Sequence, residues 1–280
     1  MTARGILSLI AVLVATLSAA PESRVQIGYC TTLKNVAAAK SAGFDYVELS
    51  TTEIAALRDA DFEDAVRTVT ASGLPVPATN LFLPATLKVT GPDADPAQQM
   101  AYVAKAFDRV ARLGVKIVVF GSGGARRVPD GYVRDDAMRQ LVDFGRRIAP
   151  LARARGLTVA IEPLRRDETN IINSAAEGLD LVDAIGDPAF QLMIDFFHLA
   201  REHEDPAIVA RAAPHLRHIH MANPEGRVFP LELDEFEYDP FFANLRKIGY
   251  DQRISIEAST TDLQRDGPRA IALVRRLLER

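Results

Sequence analysis

Short apolar runs recur along this chain, and each is followed by a stretch with helical periodicity before the next begins; the alternation repeats eight times. The runs predict strands at residues 25–29, 46–49, 76–80, 117–120, 158–162, 192–195, 218–220 and 254–257. They are apolar on both faces, as parallel strands covered by helices must be. Helical periods fill the intervals at 33–42, 53–72, 96–113, 135–155, 175–185, 206–213, 240–248 and 267–279. Gly43, Gly73, Gly114, Gly156, Gly186 and Gly249 stand where helices end and can take the left-handed conformation that closes them.

Two architectures accommodate such units. An open doubly wound sheet normally carries a glycine-rich phosphate turn after its first strand, and here residues 29–33 (YCTTL) contain no GxGxxG. The expectation is therefore an α/β fold of the closed kind, a (β/α)8 TIM barrel, as a single domain over residues 24–280. A chain of 280 residues with 48% hydrophobic and 25% charged residues has the length and the core material for one such barrel.

The start of the chain differs from the rest. Residues 1–4 carry one positive side chain, residues 5–17 are almost wholly apolar, and Ser18, Ala19 and Ala20 are small. That order resembles a secretory signal peptide over residues 1–20, and the apolar stretch is short for a membrane span. The expectation is a periplasmic or secreted protein with no stable membrane association once the leader is removed; without a working leader it is cytoplasmic. Cys30, the single cysteine, can form no internal disulfide and says nothing about the compartment. It reads as a small buried residue ending the first strand. A net charge of −4, no tryptophan and 7% aromatics argue against a nucleic-acid partner. Homo-oligomer formation is left open.

The last four strand-like runs end on Glu162, Asp195, His220 and Glu257. In a barrel the C-terminal strand ends share one face, where active sites lie, so neighbouring ends can converge without long loops. Three carboxylates and an imidazole suit one hard or borderline divalent cation. Any one of them alone reads as a helix cap or an arginine partner; four in succession do not. Residues 121–124 (GSGG), followed by Arg126 and Arg127, allow two readings: amides and guanidiniums around an anionic group, or a tight exit from the barrel. Glu48 and Asn80 end the second and third predicted strands and are expected at the pocket or in rim hydrogen bonds. His203, His215 and His218 read as loop or strand-flank residues without a role.

Residues 161–173 (IEPLRRDETNIIN), 193–198 (MIDFFH), 218–230 (HIHMANPEGRVFP) and 255–257 (SIE) resemble the sugar phosphate isomerase/epimerase group of xylose-isomerase-like barrels. That group includes ketose 3-epimerases, hydroxypyruvate isomerases and inosose dehydratases. The resemblance implies that Glu162, Asp195, His220 and Glu257 hold one divalent metal ion, manganese foremost, with magnesium, cobalt or zinc as the other choices. It implies that Glu162 and Glu257 are also the acid/base pair on opposite faces of a small sugar-like substrate. By the same resemblance, His198, Glu168 and Arg227 contact that substrate; for Glu168 an ion pair with Arg165 or Arg166 is the competing reading.

The chemistry is coherent without the resemblance. Removing a proton next to a carbonyl needs a base on one face and stabilisation of the developing enediolate oxygen, which a divalent cation supplies. Returning the proton to the other face gives an epimer, and returning it to the neighbouring carbon gives an isomer. Loss of a β-hydroxyl gives dehydration, the inosose-dehydratase-like alternative. A three-zinc endonuclease IV-like site needs further histidines on early strands and an Asp-x-His after the seventh; none of the five histidines precedes His198, and no such pair follows His220. A barrel that only binds sugar has no need of a carboxylate on each face. The expectation is a metal-dependent isomerase or epimerase acting on a sugar or polyol ketone.

Overall fold

The computed structural model of the chain describes residues 25–280; the expected leader and the first residue of the expected domain lie outside the described residues. Eight parallel strands, β1 (Gln26–Cys30), β2 (Tyr46–Ser50), β3 (Ala78–Asn80), β4 (Ile117–Phe120), β5 (Thr158–Ile161), β6 (Phe190–Asp195), β7 (Leu216–Met221) and β8 (Arg253–Ile256), close into a barrel in sequence order. β1 pairs with β8 and so completes the ring. Helices cover the outside, as double-sided apolar strands require. Among the described residues, no helix is long and apolar enough to cross a membrane.

Strand alternation sorts the barrel into two layers. On β4, Val118 and Phe120 join the large core between strands and helices, while Ile117 and Val119 join a small inner cluster with Ala78, Ala160 and Met193. That cluster fills the β3–β6 half of the interior with apolar side chains. The other half is polar: Tyr46 and Glu48 from β2, His218 and His220 from β7 and Ser255 from β8 are all fully buried there. Gly28 on β1 lies beside Tyr46 in the ladder, and a Cβ on it would come within 2.2 Å of the tyrosine ring. The glycine makes room for that ring inside the barrel.

Several expected boundaries differ. The helix expected at 53–72 is two, Thr51–Ala56 and Asp59–Ser72, separated by Leu57 and Arg58 in extended conformation. Arg109 explains the break: its buried guanidinium donates to the carbonyls of Ile54, Ala55 and Leu57, which end the first helix, and to Asp59 at the start of the second. Short helices Gly123–Arg126 and Phe196–Arg201 follow β4 and β6 and were not expected. The six glycines expected to close helices all have positive φ.

Candidate active site

β5 stops at Ile161 and β8 at Ile256, so Glu162 and Glu257 are the first residues beyond their strands rather than the last within them. Asp195 closes β6, and His220 lies one residue inside β7. The pleat continues regardless. Glu162, Asp195, His220 and Glu257 each stand two residues after an inward residue, Ala160, Met193, His218 and Ser255, and therefore point inward too.

Each of the four offers one ligand atom, and these atoms all lie within 4.8 Å of one another. His220 Nδ1 is 3.4 Å from Glu162 Oε1 and 3.3 Å from Glu257 Oε2. Behind it, His220 Nε2 is 3.1 Å from Glu48 Oε1. Asp195 Oδ1 accepts from the Phe197 amide at 2.8 Å, while Oδ2 has Arg227 Nη2 at 3.4 Å. Asn80 donates to Glu257 Oε1 at 2.9 Å. Glu162 Oε1 and His220 Nδ1 are buried without a hydrogen-bond partner. Two orphaned polar atoms facing one another among carboxylate oxygens fit a divalent cation, which such donors bind.

The electrostatics agree. Burial raises the pKa of Glu162, and Glu257 adds to the rise; burial likewise pushes Asp195 up to about 7. Burial would also raise Glu257, but His220 and Arg227 outweigh it and hold its carboxyl down to about 2. Burial opposes charge on His220, yet Glu48 and Glu257 prevail and push its pKa well up. Positive charge is what this point in the barrel favours, whether as a proton or as a metal ion.

Above the centre opens a cavity of about 600 Å³, lined by Asn80, Glu162, Glu168, His198, Arg227 and Glu257 among others. His198 Nδ1 accepts from the Arg165 amide at 3.3 Å, which places the proton on Nε2. That Nε2 has no hydrogen-bond partner, and burial drives the ring's pKa down to about 3, so it is a neutral donor. Glu168 takes Arg165 Nε at 3.0 Å and lies 3.5 Å from Arg227 Nη1, so the expected ion pair and a place at the pocket coexist. Arg227 has φ 51° and stacks its guanidinium 4.7 Å from the Phe197 ring centroid while donating to Glu257.

Two expectations are corrected, and one of the two readings open for Arg126 is ruled out. Arg126 cannot serve an anion: it is fully buried and donates to the carbonyls of Gly121 at 2.7 Å and Glu162 at 2.6 Å. Gly121 in turn leaves space for a side chain, since a Cβ there would lie 2.2 Å from Glu162 Oε2. Glu48 is neither at a strand end nor at the cavity; it is fully buried within β2, bonded to His218, His220 and Ser255. His218 is therefore no flank residue but part of that interior network. Leu81 was missed altogether: it is 54% exposed at the cavity with φ 48°, and nothing in its sequence context signals a leucine held in the left-handed region. Cys30, half-buried, also lines the cavity, with Sγ 3.9 Å from His220 Nε2.

The sequence profile of the xylose isomerase-like TIM barrel matches residues 36–279. The chain belongs to that family. Among its relatives, an L-ribulose 3-epimerase of Mesorhizobium japonicum is 26% identical over 233 residues, covering 82% of this chain and 76% of the relative. An L-ribulose 3-epimerase of a Methylomonas species is 27% identical over 246 residues, with 82% and 79% covered. A D-psicose 3-epimerase solved in the presence of D-fructose superposes with a TM-score of 0.81 at 20% identity, covering 91% of this chain and 99% of the other, and shares the fold.

Proposed function

We propose that this chain is a divalent-metal-dependent sugar epimerase that inverts a ketose carbon next to the carbonyl through an enediolate. The observation that carries this reading is the convergence of Glu162, Asp195, His220 and Glu257 at the floor of a polar cavity. The relatives named above, all sugar 3-epimerases, favour epimerisation over dehydration at such a site. Glu162, Asp195, His220 and Glu257 would hold the ion. When bound, the ion supplies electrophilic stabilisation of the oxyanion that develops on the substrate.

The side chains supply the rest. One of Glu162 and Glu257 takes the proton from the carbon; the C–H electron pair moves into the C=C bond of the enediolate as the carbonyl π pair moves onto oxygen. The other carboxyl returns a proton to the opposite face, and the reverse reaction exchanges their roles. Their environments already separate them, since Glu162 is pushed towards the protonated form and Glu257 held ionised. His198 Nε2–H donates to a substrate hydroxyl, Glu168 accepts from one, and Arg227 fixes the Glu257 carboxylate while offering its other N–H groups to substrate oxygens. These groups orient the ketose so that both carboxyls address one carbon.

The test is turnover of a panel of free ketoses by the metal-loaded protein, with products identified by chromatography. Epimers are expected from the wild type, and Glu162→Gln and Glu257→Gln are expected to be inactive yet folded. Full activity in either variant removes the acid/base assignment.

A further inference from the structure

We infer that Glu48 is a positioning residue that aims the His220 lone pair at the cation site from beneath. The inference rests on reading His220 as a ligand. Glu48 is fully buried in the polar half of the barrel interior, where an apolar side chain would cost less to bury. Its two oxygens are fully engaged: Oε1 with His220 Nε2 at 3.1 Å, and Oε2 with His218 Nε2 at 2.8 Å and Ser255 Oγ at 2.6 Å. Tyr46 OH supports Ser255 Oγ at 2.8 Å.

A carboxylate accepts hydrogen bonds, and the two Glu48 oxygens face His220 Nε2 at 3.1 Å and His218 Nε2 at 2.8 Å, with Ser255 Oγ donating to the second. Each imidazole must therefore present Nε2–H to it. For His220 this leaves Nδ1 as the lone-pair nitrogen, the atom 3.3–3.4 Å from Glu257 and Glu162. The ring cannot turn over without putting an N–H at the centre and a lone pair against an anion. A carboxylate behind a metal-binding imidazole fixes its orientation and raises its basicity, and losing such a partner typically weakens metal binding about 10–100-fold.

Glutamine at position 48 puts an acceptor oxygen against one imidazole and a donor NH2 against the other, so it cannot accept from both. Calorimetric titration of the full chain with Mn²⁺ should show Glu48→Gln binding about 10–100-fold more weakly than wild type. Glu48→Asp keeps the charge but draws the carboxylate back by a methylene, and should also bind more weakly. In the Mg²⁺-loaded wild type, ¹⁵N-edited NMR should show a protected, downfield His220 Nε2–H proton that Glu48→Gln loses. Wild-type affinity in Glu48→Gln, or in Glu48→Asp alone, would overturn the inference while leaving the metal site intact. A wild type that binds neither ion would overturn both this inference and the metal reading on which it rests. If Glu48→Gln does not fold, Glu48→Asp and the wild-type resonance decide the question.

Discussion

Gly121→Ala separates the site from the scaffold. A Cβ at Gly121 would lie 2.2 Å from Glu162 Oε2 and 3.3 Å from its Cδ, with Leu164 Cδ2 at an ordinary 3.7 Å. A carbon–oxygen contact wants about 3.3 Å, so the carboxylate must retreat by about 1 Å. The atom in the way is the far end of a flexible side chain, and Gly121 does not have the positive φ that would strain an alanine. Turning Glu162 off its rotamer costs about 0.5–1.5 kcal/mol, while replacing glycine by alanine returns about 0.4–1 kcal/mol by restricting the unfolded chain. Net stability should barely change. Displacing a catalytic group by about 1 Å, in contrast, can cost about 100-fold in rate. Initial epimerisation rates with saturating metal, run beside thermal melts, would therefore show a large loss of kcat with an almost unmoved Tm. A variant within about threefold of wild-type turnover would refute the claim that Glu162 must occupy its observed place, since about 100-fold is the loss expected.

Three other outcomes follow from the packing. Arg126→Met strands the Gly121 and Glu162 carbonyls without donors; at about 1–3 kcal/mol for each lost partner the cost is roughly 3 kcal/mol, visible as a Tm lowered by about 6–12 °C, and an unchanged Tm would contradict it. Gly28→Ala would drive a methyl into the Tyr46 ring and should destabilise by about 1–3 kcal/mol in denaturant melts. Asp266, hydrogen-bonded by Arg265 and Thr260, is held down to about 2. Because its folded pKa is depressed, its contribution is complete above about pH 4 and fades as the pH falls towards about 2. Allowing for the exposure of Arg265, Asp266→Asn should cost about 1 kcal/mol at neutral pH, with the gap to wild type closing in acid; a gap independent of pH would contradict the assignment.

Much of the barrel was legible because its periods are clean. Alternating strand and helix signals placed all eight strands, and helix-closing glycines such as Gly73 and Gly186 took the positive φ expected of them. The four candidate ligands were legible for the same reason, as a period of two carries Ala160 to Glu162 and Ser255 to Glu257 on the inner face even where the ladder has ended. Contacts between distant segments were not legible. The sequence left Arg126 open between an anion site and a tight exit from the barrel, and only the tertiary fold turns it onto two carbonyls. Arg109 splits a helix some 50 residues away in sequence. Glu48 was expected at the pocket or in a rim hydrogen bond and His218 at a strand flank, because sequence does not reveal that half of this barrel's interior is polar.

Proton exchange at a single substrate carbon by paired carboxyls is tested by incubating the metal-loaded protein with ketoses such as D-fructose and L-ribulose in heavy water, followed by NMR. Deuterium is expected at one carbon next to the carbonyl of both the recovered ketose and its epimer, with no incorporation by Glu162→Gln or Glu257→Gln. Stoichiometric sugar binding without exchange at any carbon of any ketose tried would contradict it and leave a binding barrel in its place.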